Sequence, residues 1–291
     1  MKDESQKRIA RVFPRRTKAT PDDALAFVGQ PPLFPVDCDE VHISVAFTYD
    51  LREAERLEKP WGKVAPTKIG GPATGEPEGE FVPGRYLKLG HTITSRGCPN
   101  RCWFCRVWRR QPEVVELPIR DGWLVHDDNL LACSRAHIEA VFAMLTRQSH
   151  GVQFPGGLEA ARLAQWQADV LYSLNPKQAF FAYDTPDDLE PLREAGRMLR
   201  ATGFAMRDNR LRCYVLVGYP KDTFEAAEMR CRQAWDAGFL PFAMAYQDSK
   251  GGLDLTWRRF QRTWCRPAAF KTLMREPSAL KRPLFNERSG T

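Results

Sequence analysis

The sequence predicts a mixed α/β protein built on a parallel sheet, and three observations carry that expectation. From residue 86 to residue 250, apolar runs of strand length alternate with amphipathic segments of helix length. Most of those runs end in glycine or in an acidic or hydroxyl residue, and the loop after the first of them holds three cysteines. With 291 residues and 43% hydrophobic content, the chain can bury a full core, expected as one main domain with an appendage.

Residues 1–40 read as an irregular basic segment, because Pro14, Pro21, Pro31, Pro32 and Pro35 interrupt every helix except a short one near Asp22–Phe27. Val41–Phe47 alternates as a strand, Asp50–Leu57 reads as a short helix with Asp50 as N-cap, and Val64–Ile69 is a second strand ending at Gly70-Gly71-Pro72. Strand, crossover helix and strand make one parallel βαβ unit, which with its Gly/Pro/Glu-rich linker occupies 41–85.

Six strands follow. Tyr86–Thr94 leads into the cysteine loop, and Trp123–His126 ends at Asp127-Asp128-Asn129. Ser134 caps a helix, Val152–Phe154 ends at Gly156-Gly157-Leu158-Glu159, and Ala160–Leu174 is helical. Gln178–Tyr183 ends at Asp184-Thr185-Pro186 before a helix from Asp187 to Thr202. Leu211–Val217 ends at Gly218-Tyr219-Pro220, Thr223–Ala237 is a helix stopped by Gly238, and Leu240–Tyr246 is the last strand. Five intervening helices are expected. In such sheets chemistry collects at the carboxyl ends of the strands.

The organising stretch is Ser95-Arg96-Gly97-Cys98-Pro99-Asn100-Arg101-Cys102-Trp103-Phe104-Cys105, with cysteines spaced C-x3-C-x2-C. Three thiolates are one short of a closed zinc or cluster site, so a [4Fe–4S] cluster held here would keep one iron open. The other readings are a zinc knuckle completed by His91 or His126, or three unconnected thiols; the strand and helix order downstream favours the cluster. The spacing, with Phe104 just before the last cysteine, resembles the radical S-adenosylmethionine (SAM) enzymes. Thr94-Ser95-Arg96-Gly97-Cys98-Pro99 is most similar to their methylthiotransferase and cobalamin-dependent branch.

The resemblance implies a partial (βα)6 TIM-like barrel over 86–250, with Cys98, Cys102 and Cys105 as cluster ligands and Phe104 near the adenine. It implies that Asp127 or Asp128, where the family commonly has G-G-E, meets the amino group of SAM, with Glu159 a second candidate for that group or for substrate. Asp184 and Thr185 would face the ribose, and Gly218 would let backbone approach the nucleoside. The segment Gly218-Tyr219-Pro220-Lys221-Asp222-Thr223 is similar to a G-x-P-G-x-T pattern, with Lys221 in place of the second glycine. The 41–85 unit looks like a shortened cobalamin-binding domain, but D-x-H-x-x-G is absent, and neither accessory domain of the methylthiotransferases is visible. The implied activity is reductive cleavage of SAM to a 5′-deoxyadenosyl radical that abstracts hydrogen from a substrate, with an external electron donor of flavodoxin or ferredoxin type. A non-catalytic iron–sulfur or zinc protein and a nucleic-acid-modifying radical SAM enzyme are the alternatives.

Net charge is +7, unevenly placed. Residues 1–20 hold seven Lys/Arg against Asp3 and Glu4, and residues 257–291 hold nine against Glu276 and Glu287. Any contact with nucleic acid is therefore expected in the two tails. In the last segment, 251–291, Trp257, Phe260, Trp264 and Phe270 lie among basic residues, a spacing that suits base stacking or a packed amphipathic helix; the packed helix is favoured. Cys38, Cys133, Cys213, Cys231 and Cys265 have no ligand spacing and read as buried thiols of a reducing compartment. With no long apolar run and no signal-like N-terminus, a cytoplasmic protein without a membrane partner is expected.

Overall fold

The computed structural model describes residues 7–75, 80–247 and 254–275. It is a mixed α/β structure with two parallel sheets. The first contains β1 (Ile9–Phe13), β2 (Ala26–Val28), β3 (Glu40–Ser44) and β4 (Thr67–Gly70), in the order β2-β1-β3-β4. Helix α1 (Leu51–Trp61) covers one face, where Ala10, Val12, Val41 and Ile43 share a buried core with Leu57 and Trp61. The opposite face is polar. Arg11 donates to the Arg85 carbonyl at 3.1 Å, and His42 Nδ1 pairs with the Tyr86 hydroxyl at 2.5 Å.

Two expectations are corrected here. Residues 1–40 are not irregular throughout, since β1 and β2 lie within them and extend the βαβ unit to four strands. The five-residue run Ile-Ala-Arg-Val-Phe is too short to declare itself, and one of its partners, Glu40, lies far along the chain from Ile9. Asp50 precedes α1 but makes no side-chain cap. It is 4% exposed, and its carboxylate accepts from Arg15 Nε at 2.8 Å, an ion pair that replaces the cap.

The second sheet opens with β5 (His91–Thr92). An antiparallel ribbon of β6 (Ser95–Arg96) and β7 (Val115–Glu116) then brackets the cysteine loop and its one-turn helix α2 (Val107–Arg110). Next come β8 (Leu124–Val125), α3 (Arg135–Thr146), β9 (Gln153–Leu158), α4 (Gln165–Leu174), β10 (Gln178–Ala182) and α5 (Leu189–Ala201). The chain continues through β11 (Leu211–Val217), α6 (Phe224–Asp236) and β12 (Leu240–Ala245). All six main strands are parallel, in the sequential order β5-β8-β9-β10-β11-β12. Sequential order with right-handed crossovers puts the helices on one face and leaves the other free of them. Phe154, Phe181 and Val215 meet Leu145, Leu171 and Leu199 in the resulting core.

The first strand is shorter than expected because Tyr86 and Lys88 are spent on the first sheet: the Lys88 backbone N–H donates to the Ala19 carbonyl at 2.8 Å. Four long helices, not five, lie between strands, since α2 is a single turn, and a 3-10 turn at Ala160–Arg162 delays α4 to Gln165. After β12 there are two helices rather than one, α7 (Leu255–Trp264) and α8 (Pro267–Arg275), because Pro267 opens a new helix. Phe260, Trp264 and Phe270 are fully buried, and Trp257 packs 4.3 Å from Phe224. The remainder of the basic tail, 276–291, lies outside the described residues. Among the described residues no helix is long and apolar enough to cross a membrane.

Candidate functional site at the strand ends

The cysteine loop leaves the carboxyl end of β5 and is shaped by its own backbone. Gly97 has φ +86°, and a Cβ there would stand 2.0 Å from the Glu113 carbonyl oxygen, so only glycine fits. The Cys98 N–H donates to the Gln111 carbonyl, the Cys105 N–H to the Cys102 carbonyl, and Trp108 Nε1 to the same Cys102 oxygen at 2.9 Å. Val107 N–H points at Cys105 Sγ at 3.4 Å. Burial pushes the Cys102 thiol up to about 11, helped by Cys105 and Cys98, and also raises Cys105.

The end of β8 clamps this loop. Asp127, 2% exposed, accepts from the Thr94 N–H at 2.6 Å and from the Thr94 and Ser95 hydroxyls at 2.5 and 2.8 Å. Both its oxygens are taken, so Asp127 positions the loop from behind and does not stand free for a ligand. Asp128 accepts the Gly97 N–H at 2.8 Å and lies 3.7 Å from Arg110. Glu159 accepts from Asn129 Nδ2 at 2.6 Å and from Arg162 Nε at 2.7 Å. Among the described residues, Asp128 and Glu159 each keep one carboxylate oxygen without a hydrogen bond.

Asn129 is the residue that sequence reasoning passed over. It is 4% exposed; its Nδ2 donates to Cys98 Sγ at 3.3 Å as well as to Glu159, and its buried Oδ1 has no partner among the described residues. The Glu159 carboxylate fixes the orientation of the amide, because only the NH2 end can face an acceptor. Its place beside two carboxylates at a strand end was the available signal.

At the end of β10, Asp184 Oδ1 accepts the Leu216 N–H at 3.0 Å. Burial, with the Asp188 carboxylate next, raises the Asp184 carboxyl to about 7. Thr185 is occupied locally: its N–H and hydroxyl both donate to Asp188, closing a capping box. At the end of β11, Gly218 has φ +74° and donates to Asp222 at 2.7 Å. A Cβ on Gly218 would meet the Trp257 ring at 2.7 Å, so the crowding comes from α7. Asp222 is held by buried Arg230 at 2.8 Å.

One aromatic side chain ties these ends together. Trp103, 49% exposed, stands 5.4 Å from Phe104, 5.5 Å from Tyr219 after β11 and 5.9 Å from Tyr246 after β12. The loop that starts at one edge of the sheet therefore crosses its carboxyl end to the other. His91 and His126 pair with each other, Nδ1 to Nε2 at 2.7 Å, and burial lowers both, His126 to about 4. Cys213 and Cys231 are fully buried in the core, away from any ligand role.

The donor set suits an iron–sulfur cluster in its chemistry: three thiols on one short loop, two of them already receiving N–H···S bonds. Among the described residues no three His, Cys, Asp or Glu side chains are grouped as a metal ion needs, so the fit rests on donor type and placement. Compared with known proteins, the sequence matches no protein-family model, and no curated protein matches it.

Proposed function

We propose that this chain is a radical SAM enzyme whose second sheet is a partial (βα)6 TIM-like barrel, with a [4Fe–4S] cluster on Cys98, Cys102 and Cys105. The observation that carries it is the position of the three-thiol loop, which follows the first of six sequential parallel strands and lies across their carboxyl ends. When bound, such a cluster would supply one-electron reduction of SAM, to methionine and a 5′-deoxyadenosyl radical able to take hydrogen from a substrate carbon.

The chain's own residues bind and orient. Asp127 holds the loop through Thr94 and Ser95, and Asn129 donates to the Cys98 sulfur. Asp128 or Glu159, each with an unbonded oxygen among the described residues, would receive the SAM amino group, in preference to Asp127. Asp184 would meet the ribose, where a carboxyl near 7 can donate or accept a hydrogen bond. Phe104 would lie against the adenine, whereas Gly218 is crowded by the Trp257 ring and takes no part in this reading. The electron comes from a flavodoxin- or ferredoxin-type donor in the cytoplasm.

The test is anaerobic reconstitution followed by iron and sulfide analysis, electron paramagnetic resonance and chromatography of a dithionite-reduced reaction with SAM. One cluster per chain, lost when Cys98, Cys102 and Cys105 are all replaced by Ala, and formation of 5′-deoxyadenosine are the expected results. A full, reducible cluster that never cleaves SAM would instead support a non-catalytic iron–sulfur protein.

A further inference from the structure

The tails were the expected site of any contact with nucleic acid, but folding assembles a different basic surface. Residues 96–112 hold five arginines and no acidic residue, although the middle of the chain as a whole is acidic. Arg101, Arg106 and Arg109 are exposed. Among the described residues none of the three has a carboxylate partner, Arg109 lying over the Trp108 ring instead.

A chain of contacts joins this loop to the carboxyl edge of the first sheet. The Pro72 carbonyl, after β4, accepts from Arg110 Nη1 at 3.0 Å. The Ala73 N–H donates to the Val45 carbonyl, after β3, at 3.0 Å. Arg15, after β1, lies 4.8 Å over the Tyr49 ring and pairs with Asp50. Beside Arg15, Arg16 and Lys18 are exposed and have no carboxylate partner among the described residues. The contacts thus trace a rim from the cysteine loop, past the ends of β4 and β3, to the segment after β1 that carries Arg15, Arg16 and Lys18.

Aromatic rings stand among those cations. Trp103 is 49% and Phe47 43% exposed, and Phe47 stacks on Tyr49 at 5.2 Å with planes 5° apart. Exposed rings spaced among unpaired cations fit phosphates and unpaired bases together, whereas an acidic protein needs the charge alone. The helix that looked suited to stacking, α7, has its aromatic face buried instead.

We propose that single-stranded nucleic acid binds along this rim, its phosphates on Arg16, Lys18, Arg101, Arg106 and Arg109 and a base against Trp103. This names the substrate class of the site proposed above and rests on that reading for its chemistry. Binding, however, is measurable on the chain without a cluster, so failure here leaves the cluster assignment standing, and failure of the cluster assignment leaves binding testable.

The test titrates the full chain into labelled single strands of about 20 nucleotides, RNA and DNA separately, and reads fluorescence anisotropy. Five phosphate contacts predict that affinity falls about 100-fold between roughly 50 and 200 mM salt. The triple variant R101E/R106E/R109E is expected to lose at least about 10-fold at the lower salt, and W103A about 10-fold. The same charge change on α7, R258E/R259E/R262E, is expected to leave affinity within about threefold. Circular dichroism checks folding, and R101Q/R106Q/R109Q replaces the reversed variant if that one does not fold. Absence of binding, equal loss in the α7 variant, no loss in W103A, or equal affinity for a duplex would each overturn the proposal.

Discussion

Asn129 and Cys98 are joined by a hydrogen bond from a side-chain amide to a sulfur, 3.3 Å long, made by a residue only 4% exposed. The same amide is anchored by Glu159 at 2.6 Å, so its direction toward the thiol is imposed and not incidental. An N–H···S bond stabilises negative charge on sulfur, and outer partners of metal ligands typically govern affinity by 10–100-fold. With the proposed cluster on Cys98, Cys102 and Cys105, Asn129→Leu is expected to weaken retention of iron about 10-fold in a competition with a chelator, with the thermal midpoint little changed. Equal retention in parent and variant would remove Asn129 from the site.

Asp127 predicts a stability effect instead. Its carboxylate accepts three hydrogen bonds from Thr94 and Ser95 in a buried position, and Ala would leave those donors unsatisfied. Asp127→Ala is expected to lower unfolding free energy by about 2–4 kcal/mol in a urea titration, with Asp127→Asn costing less. A cost below about 0.5 kcal/mol, as at an ordinary surface site, would contradict the clamp.

Asp184 sets a pH dependence. Its carboxyl is raised to about 7, chiefly by burial and then by Asp188, so the folded chain holds this proton more tightly than the unfolded chain does. The contribution favours folding fully below the ordinary carboxyl value of 3.8 and is lost as pH rises through 7. The loss is on the order of 4 kcal/mol at most by linkage. Asp184→Asn, which keeps an acceptor for the Leu216 N–H, is expected to flatten the stability profile between those pH values and to be more stable than the parent at higher pH. Denaturant midpoints measured at several pH values read this directly.

Lys221 occupies the position of a glycine in the G-x-P-G-x-T pattern, and its φ is +71°. A side chain in the left-handed region carries a steric cost that glycine does not. Lys221→Gly is therefore expected to stabilise the chain by about 1 kcal/mol, a rise in midpoint visible by calorimetry. A drop would mean that the lysine side chain makes a compensating contact.

Much of the second sheet was legible without coordinates, because its signals are local. Leu211–Val217 is a strand over the expected residues, and Ser134 and Thr223 cap α3 and α6 through their own hydroxyls. Strand length, amphipathic spacing and a capping side chain are all carried by a few neighbouring residues. The C-x3-C-x2-C loop is equally local, whereas the room for no more than glycine at position 97 is set by the Glu113 carbonyl farther along the chain.

Tertiary structure decided whatever depends on residues distant in sequence. The strand Ile9–Phe13 exists because Glu40–Ser44 and Ala26–Val28 pair with it, and nothing in its five residues announces parallel partners. Asp50 serves Arg15 and not its own helix, since its buried carboxylate is taken by a guanidinium from the segment after β1. Of the polar residues at the ends of β8 and β9, folding turned Asp127 inward, left Asp128 and Glu159 each with an open oxygen among the described residues, and brought Asn129 to the Cys98 sulfur. The aromatics of α7 could stack on bases or pack on the core, and burial of Phe260 and Trp264 settled which. Spacing along a chain states which groups are available; only the three-dimensional path states what each has left to bond.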